Sequence, residues 1–258
     1  MTPATRPAPA EIDWPRLYGH ALTYVEQCWE KYECGSYCCC TNHEDFTFRF
    51  IQSGQAWLPL LPMEKTYLES IDKLQDDGPG HMRRYAIEFS PGREAAIYMM
   101  RCRNAGNCRH CEHRPLICRI YPYFPVPSPG GDIERLMPSS IFDVAMHLKE
   151  QAIGCPILAE PRPDLEQQVL ERYGVLFEHP HIIFGFRAAA TMMDVMVEHL
   201  RRDHGEILRA ETGEFWSQWE MLFLTGALFP KDVLAARIRA DYEAVAAVWG
   251  DFATDVDE

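Results

Sequence analysis

Nine of the chain's ten cysteines lie between Cys28 and Cys118, in two short runs, and that crowding limits what the N-terminal part can fold around. The first run reads Cys34-Gly35-Ser36-Tyr37-Cys38-Cys39-Cys40; the second spaces Cys102, Cys108, Cys111 and Cys118 and closes on Arg119-Ile120-Tyr121-Pro122. Adjacent thiols pack poorly in a core but make good chelate loops. Soft thiolates at short spacings take Zn2+, iron–sulfur clusters or Cu(I) in preference to hard cations. Gly35 lets the backbone turn tightly enough for Cys34 and Cys38 to reach one metal. Cys108-Arg109-His110-Cys111 has the C-x2-C spacing common in zinc and iron–sulfur sites. Cys28 differs: it falls on the apolar stripe of a helix expected from Asp13, with Leu17, Ala21, Tyr24 and Tyr32, and reads as a buried core thiol.

A disulfide framework is the competing reading of so many cysteines. Met1 to Ala10 is rich in Pro and Ala and carries no apolar secretory core. No stretch approaches the ~18–20 apolar residues of a membrane span. With 258 residues and 47% hydrophobic content, the chain can bury a core without covalent staples. The cysteines are therefore expected to be reduced, in a cytoplasmic protein, where clustered thiols serve metal or redox chemistry.

Charge separates two further classes. Lys and Arg number 25 against 38 Asp and Glu, a net −13, which lacks the basic footprint of a nucleic-acid binder. Between Arg83 and Arg119, however, eight arginines (Arg83, Arg84, Arg93, Arg101, Arg103, Arg109, Arg114, Arg119) face only Glu88, Glu94 and Glu112. They can offset the negative charge of a thiolate-bound metal. They can equally hold an anionic cofactor or substrate through planar, bidentate donors, with Arg101, Arg103, Arg114 and Arg119 the candidates.

Periodicity predicts a mainly α fold with a small β-hairpin, in which an irregular cysteine-rich metal core packs against a C-terminal helical bundle. Residues 1–10 read as a disordered tail, 11–160 as the metal-binding domain and 161–258 as the helical domain, with Pro156, Pro161 and Pro163 marking the boundary. Phe46 to Phe50 alternates like a strand, and Pro62 opens a helix with Met63, Tyr67, Ile71 and Leu74 on one face, closed by Gly78-Pro79-Gly80. Tyr85–Phe89 and Ala96–Met99 flank a Ser90-Pro91-Gly92-Arg93 turn. Cys102 to Pro129 looks irregular, and Ile141 to Gln151 helical. Further helices are expected over Phe186–His204, around Phe215, Trp216, Trp219, Leu222 and Phe223, and over Leu234, Ile238, Tyr242, Val245 and Trp249. Met192, Met193 and Met196 read as core fillers, and Asp251 to Glu258 as a frayed acidic end.

The stretch Cys108-Arg109-His110-Cys111-Glu112-His113-Arg114-Pro115-Leu116-Ile117-Cys118-Arg119-Ile120-Tyr121-Pro122 resembles the hallmark of the YkgJ-type cysteine-cluster proteins, a family described as zinc- or iron-chelating. Members look like C-x-x-C-x-x-C-C, then a helix opened by a leucine-proline-x-glutamate phrase, here Leu61-Pro62-Met63-Glu64. Two cysteines six apart follow (Cys102 and Cys108), then the arginine-proline-x-x-cysteine-arginine phrase. Cys155-Pro156 resembles the Cys-Pro of longer members. The likeness covers roughly residues 28 to 160. Two departures stand out. Lys31 occupies the first cysteine's place and a third consecutive cysteine is added, leaving open which of Cys38, Cys39 and Cys40 bind. Cys111 sits where members usually carry Tyr or His.

The resemblance implies the ligands Cys34, Cys38, Cys39, Cys102, Cys108, Cys118 and Cys155, with Cys40 as an eighth. A structural zinc takes four ligands, so this supply suits two zinc ions, an iron–sulfur cluster with thiols to spare, or one of each; an iron–sulfur cluster is the preferred expectation. His110 and His113 read as neighbours of the thiolates rather than ligands, and His43 is a weaker candidate ligand still. The expected function is a cytosolic metal-binding protein whose helical half docks a protein partner. The alternative is an iron–sulfur-dependent enzyme modifying proteins or peptides, since some longer proteins with a similar cluster are regarded as lysine N-methylases. No S-adenosylmethionine turn or C-x3-C-x2-C motif accompanies it. Redox or metal-stress sensing by Cys38–Cys40 is a third reading.

Overall fold

The computed structural model describes residues 11–19, 48, 50, 57–74, 81–102, 114–151, 155–159 and 163–254. The chain opens with α1 (Trp14–Gly19), capped by Asp13, whose Oδ1 accepts the Arg16 amide at 3.0 Å. Strand β1 (Trp57–Leu60) runs directly into α2 (Pro62–Ser70), where Pro62 takes the first helical position, the one that needs no N–H. Strands β2 (Met82–Ser90) and β3 (Arg93–Arg101) form the expected hairpin. Gly92, at φ +69°, supplies the left-handed turn residue between them. β1 pairs antiparallel with β3, from Trp57 opposite Arg101 to Leu60 opposite Tyr98, so the sheet order is β1-β3-β2. This third strand was not expected: its four residues are too few to show an alternation of their own.

The stretch beyond Cys102 was expected to be irregular. Over 116–138 it is not. Helix α3 (Leu116–Ile120) leads into β4 (Tyr123–Pro127), wholly buried, which pairs with β5 (Ile133–Pro138). Pro125 and Pro127 hid this strand from a sequence reading. They are accommodated because, among the described residues, the sheet has two strands, and the outer side of each needs no ladder partner.

Helix α4 (Ile141–Leu148) begins at Ser140, whose hydroxyl accepts the Phe142 amide, and α5 (Pro156–Ala159) and α6 (Pro163–Tyr173) follow. After a 3-10 turn (Gly174–Phe177) comes α7 (Pro180–Asp203), the longest element described. It starts six residues before the expected Phe186 because Pro180 fits its first position and the His179 ring accepts the His181 amide. Helices α8 (Gly205–Arg209), α9 (Thr212–Thr225) and α10 (Lys231–Trp249) complete the chain. The apolar spacing read in α10 is its buried face: Leu234, Ile238, Tyr242, Val245 and Trp249 all lie inside.

α7 is buried along two flanks, against α10 on one side and β4 on another, while α10 also lies on β2. One cluster of buried side chains takes in Trp14, Leu60, Leu116, Phe124, Met146, Phe186, Met196 and Trp216, from both sides of position 160. A smaller one joins Phe89 of the hairpin to Phe184, Val195, Leu234, Ile238 and Tyr242. The C-terminal segment is docked as far as it is described. Asp251 receives Arg93 Nη2 at 2.7 Å and the Tyr242 hydroxyl, and the Phe252 ring lies 4.8 Å from that of Tyr242. Phe48 and Phe50 take no strand conformation; Phe48 packs instead against Phe142, Trp216 and Trp219. The other residues of that expected strand, the Gly78–Gly80 stop and the 1–10 tail lie outside the described residues.

Candidate thiolate site

The phrase Leu61-Pro62-Met63-Glu64 places Glu64 at the third position of α2, where a glutamate can reach back to the N-cap amide. Glu64 does more. Its side chain points inward, 1% exposed, and Oε1 accepts the Tyr18 hydroxyl at 2.6 Å and the Leu116 amide at 2.7 Å. The Leu61 amide also bonds to the carboxylate. Leu116 is the first residue of α3, the helix that carries Cys118 and Arg119. Two phrases more than fifty residues apart in sequence thus meet at one oxygen. Burial pushes Glu64 up to about 7, against the pull of these hydrogen bonds and of the Arg119 charge. Burial, then the neighbouring Glu64, holds the Tyr18 phenol well above its ordinary range.

Arg119 closes the group. Its Nη1 donates to the Tyr18 carbonyl at 2.7 Å, and its guanidinium lies 5.3 Å from the Tyr18 ring centroid. Burial lowers the Arg119 pKa, the Tyr18 phenol raises it, and the Arg114 charge beside it lowers it further. The Tyr18 ring is itself packed at 5.3 Å from Tyr67 of α2.

Three of the expected ligands are described. Cys102 stands one residue beyond β3, 8% exposed, following Arg101, whose amide donates to His81 O at 2.7 Å. Cys118 is half-buried inside α3, its amide bonded to Pro115 O at 2.9 Å. Cys155 is buried at the start of α5, where its carbonyl accepts the Leu158 and Ala159 amides at 3.0 Å. α3 packs on β1, which pairs with β3, and also on β4. The supporting elements of Cys102 and Cys118 are therefore neighbours through β1. Among the described residues, no group of three or more His, Cys, Asp or Glu side chains is gathered as a metal site. Cys34, Cys38, Cys39, Cys40 and Cys108 lie outside the described residues, as do Cys28, Cys111, His43, His110, His113, Arg103 and Arg109. The three described donors are free thiols, the residue type a soft metal takes, on backbone fixed by a strand end and two helices.

Three of the six described arginines in this stretch have partners outside the cysteine phrases. Arg84 pairs with Glu94 across the hairpin, Arg93 bridges Asp251 and Tyr242, and Arg83 lies 4.8 Å over the Trp57 ring. These three serve the sheet and the C-terminal segment, so the charge near the cysteines is smaller than the count suggested. Arg101 and Arg114 are both half-buried.

Glu64 and Tyr18 were not singled out as functional from the sequence. The usable signal was a glutamate three residues after an N-cap, one turn before Leu68; the buried face of α2 is Pro62, Glu64 and Leu68, while the expected Met63, Tyr67, Ile71 and Leu74 are only half-buried. That pattern reads as a solvated cap, and burial inverted it. Compared with family models, curated proteins and solved structures, the chain matches none.

Proposed function

We propose that this protein holds an iron–sulfur cluster or zinc through the thiolates of Cys34, Cys38, Cys39, Cys40, Cys102, Cys108, Cys118 and Cys155, as a member of the YkgJ-type cysteine-cluster family. One observation carries the reading: the Glu64–Leu116 hydrogen bond, 2.7 Å long, which joins the leucine-proline-x-glutamate phrase to the arginine-proline-x-x-cysteine-arginine phrase. That contact gives a physical reason for two otherwise unrelated phrases to occur together, because one anchors the helix that presents a thiol in the other. Surplus thiols favour iron–sulfur over a single zinc, which needs four ligands. Bound metal would supply structural cross-linking between segments far apart in sequence. The helical half is proposed as the surface for a protein partner, in a cytoplasmic setting. Among the described residues no helix is long and apolar enough to cross a membrane.

Anaerobic purification followed by metal and sulfide analysis tests this. The expected result is either visible sulfur-to-iron absorption with stoichiometric iron and sulfide, or a colourless protein with stoichiometric zinc. Cys118→Ser should lower that content and the melting temperature together. Wild-type protein carrying neither metal after reconstitution would refute the proposal.

A further inference from the structure

The thiol Cys118 is held from both sides in the chain. Two residues before it, the Leu116 amide is fixed by Glu64 Oε1; one residue after it, the Arg119 guanidinium is fixed by the Tyr18 carbonyl. Helix α3 is only five residues long, too short to persist on its own propensity. Its Cys118 and Arg119 amides are satisfied by Pro115 O, whereas the Leu116 amide finds its acceptor in another element. The position of the Cys118 backbone is thus set by hydrogen bonds to α1 and α2 beside the packing of α3 on β1 and β4. Both outside anchors converge on Tyr18, through its hydroxyl to Glu64 and its carbonyl to Arg119. Tyr18 belongs to α1, which leads in sequence toward the Cys34–Cys40 run.

We infer that Glu64 is a positioning residue for the thiolate site, locking the Cys118 helix in register with α1 through one carboxylate oxygen. A cap that served stability alone could sit at the surface and be neutral. Here the acceptor is a carboxyl taken wholly out of water, shared among Tyr18, Leu116 and Leu61, and one of those donors stands two residues from a candidate ligand. Such a group tolerates little displacement, because any separation leaves buried donors without an acceptor. The inference rests on the thiolate reading for its metal arm, but not for its geometric one.

The full-length chain, reduced and stripped with chelator, is alkylated with iodoacetamide, and modification is followed peptide by peptide by mass spectrometry in wild type, Glu64→Gln, Glu64→Ala and Tyr18→Phe. Glu64→Ala should speed alkylation of Cys118 about tenfold while Cys155 stays within about twofold, the pattern of a local opening. Glu64→Gln keeps the Oε1 acceptor and should stay near wild type. If Glu64→Ala fails to fold, Tyr18→Phe carries the test with the same Cys118-over-Cys155 selectivity and a smaller factor. Equal acceleration at both cysteines, or none at Cys118, overturns the inference. In the second arm the proteins are loaded with Co2+ or with iron and sulfide. A shifted sulfur-to-metal absorption band in folded Glu64→Ala supports positioning, and an unchanged band with unchanged affinity overturns it. Wild type that takes up neither load overturns the thiolate-metal reading, and the alkylation ratio still decides the role of Glu64.

Discussion

Glu64 Oε1 accepts the Leu116 amide at 2.7 Å inside the protein, and so ties the third residue of α2 to the first residue of α3. The same oxygen accepts the Tyr18 hydroxyl of α1, and Arg119 of α3 reaches the Tyr18 carbonyl directly, so the N-terminal helix is joined to the Cys118 helix twice.

The pH dependence of stability should carry a Glu64 signature. Burial raises this carboxyl from 4.5 to about 7, so between those values the folded state binds a proton that the unfolded chain releases. The stability gained from that proton is fully present below about pH 4.5 and is lost as pH rises through about 7; a shift of this size is worth about 3 kcal/mol. Glu64→Gln removes the titration. In urea unfolding, wild type minus variant should therefore fall by up to about 3 kcal/mol across this window and then level off. Histidines titrating in the same range are common to both proteins and cancel. A difference that is flat with pH would show that Glu64 keeps an ordinary carboxylate pKa.

Gly131, in the turn between β4 and β5, should resist substitution. A Cβ there would lie 2.3 Å from the Phe177 carbonyl oxygen, a backbone atom, and the residue sits at φ +98°, which side chains rarely adopt. Gly131→Ala should cost about 1–3 kcal/mol, read as a lower melting temperature. Gly174→Ala is the control: nothing lies within 4 Å of its Cβ, and the change should stay within about 0.5 kcal/mol. Equal effects at the two sites would contradict the close approach of the Phe177 carbonyl to this turn.

Arg187 and Asp241 fasten α7, α10 and β4 together. Arg187 Nε and Nη2 reach Asp241 Oδ1 at 2.9 and 2.7 Å, and Nη1 donates to Pro127 O at 2.8 Å. Asp241→Ala leaves a largely buried guanidinium with the Pro127 carbonyl and a Glu134 carboxylate 3.6 Å away, and should cost about 3 kcal/mol, whereas Arg187→Met with Asp241→Leu should cost less than that single change. Chemical denaturation of these two variants, and of Arg187→Met and Asp241→Leu each alone, measures this. A double variant as unstable as the sum of two singles would mean that the pair is not coupled.

Much of the helical half was legible in the sequence. Leu234, Ile238, Tyr242, Val245 and Trp249 repeat at three and four residues, and a helix buried along one stripe must show that period. The hairpin around Pro91-Gly92 was equally plain, since a turn residue with positive φ between alternating runs is a local signal. The β4–β5 pair was not legible. Pro125 and Pro127 argue against a strand locally, and the pairing is acceptable because, among the described residues, no third strand lies beside them in this sheet. The partners of Arg83, Arg84 and Arg93 were hidden for a related reason: charge along a chain says nothing about which guanidinium meets Glu94, Asp251 or a Trp57 ring.

The sequence alone determined that thiols are clustered, that Arg114-Pro115 and Cys118-Arg119 stand together, and that a glutamate follows Leu61-Pro62 at capping distance. Those are matters of identity and spacing, and they need no third dimension. Only the tertiary structure decided that Glu64 faces inward, that its partners are Tyr18 and Leu116, and that its proton is held near neutrality. The reason is physical. A carboxylate's environment is set by which surfaces close over it, and the elements that close over Glu64 come from positions 18 and 116, far along the chain in either direction.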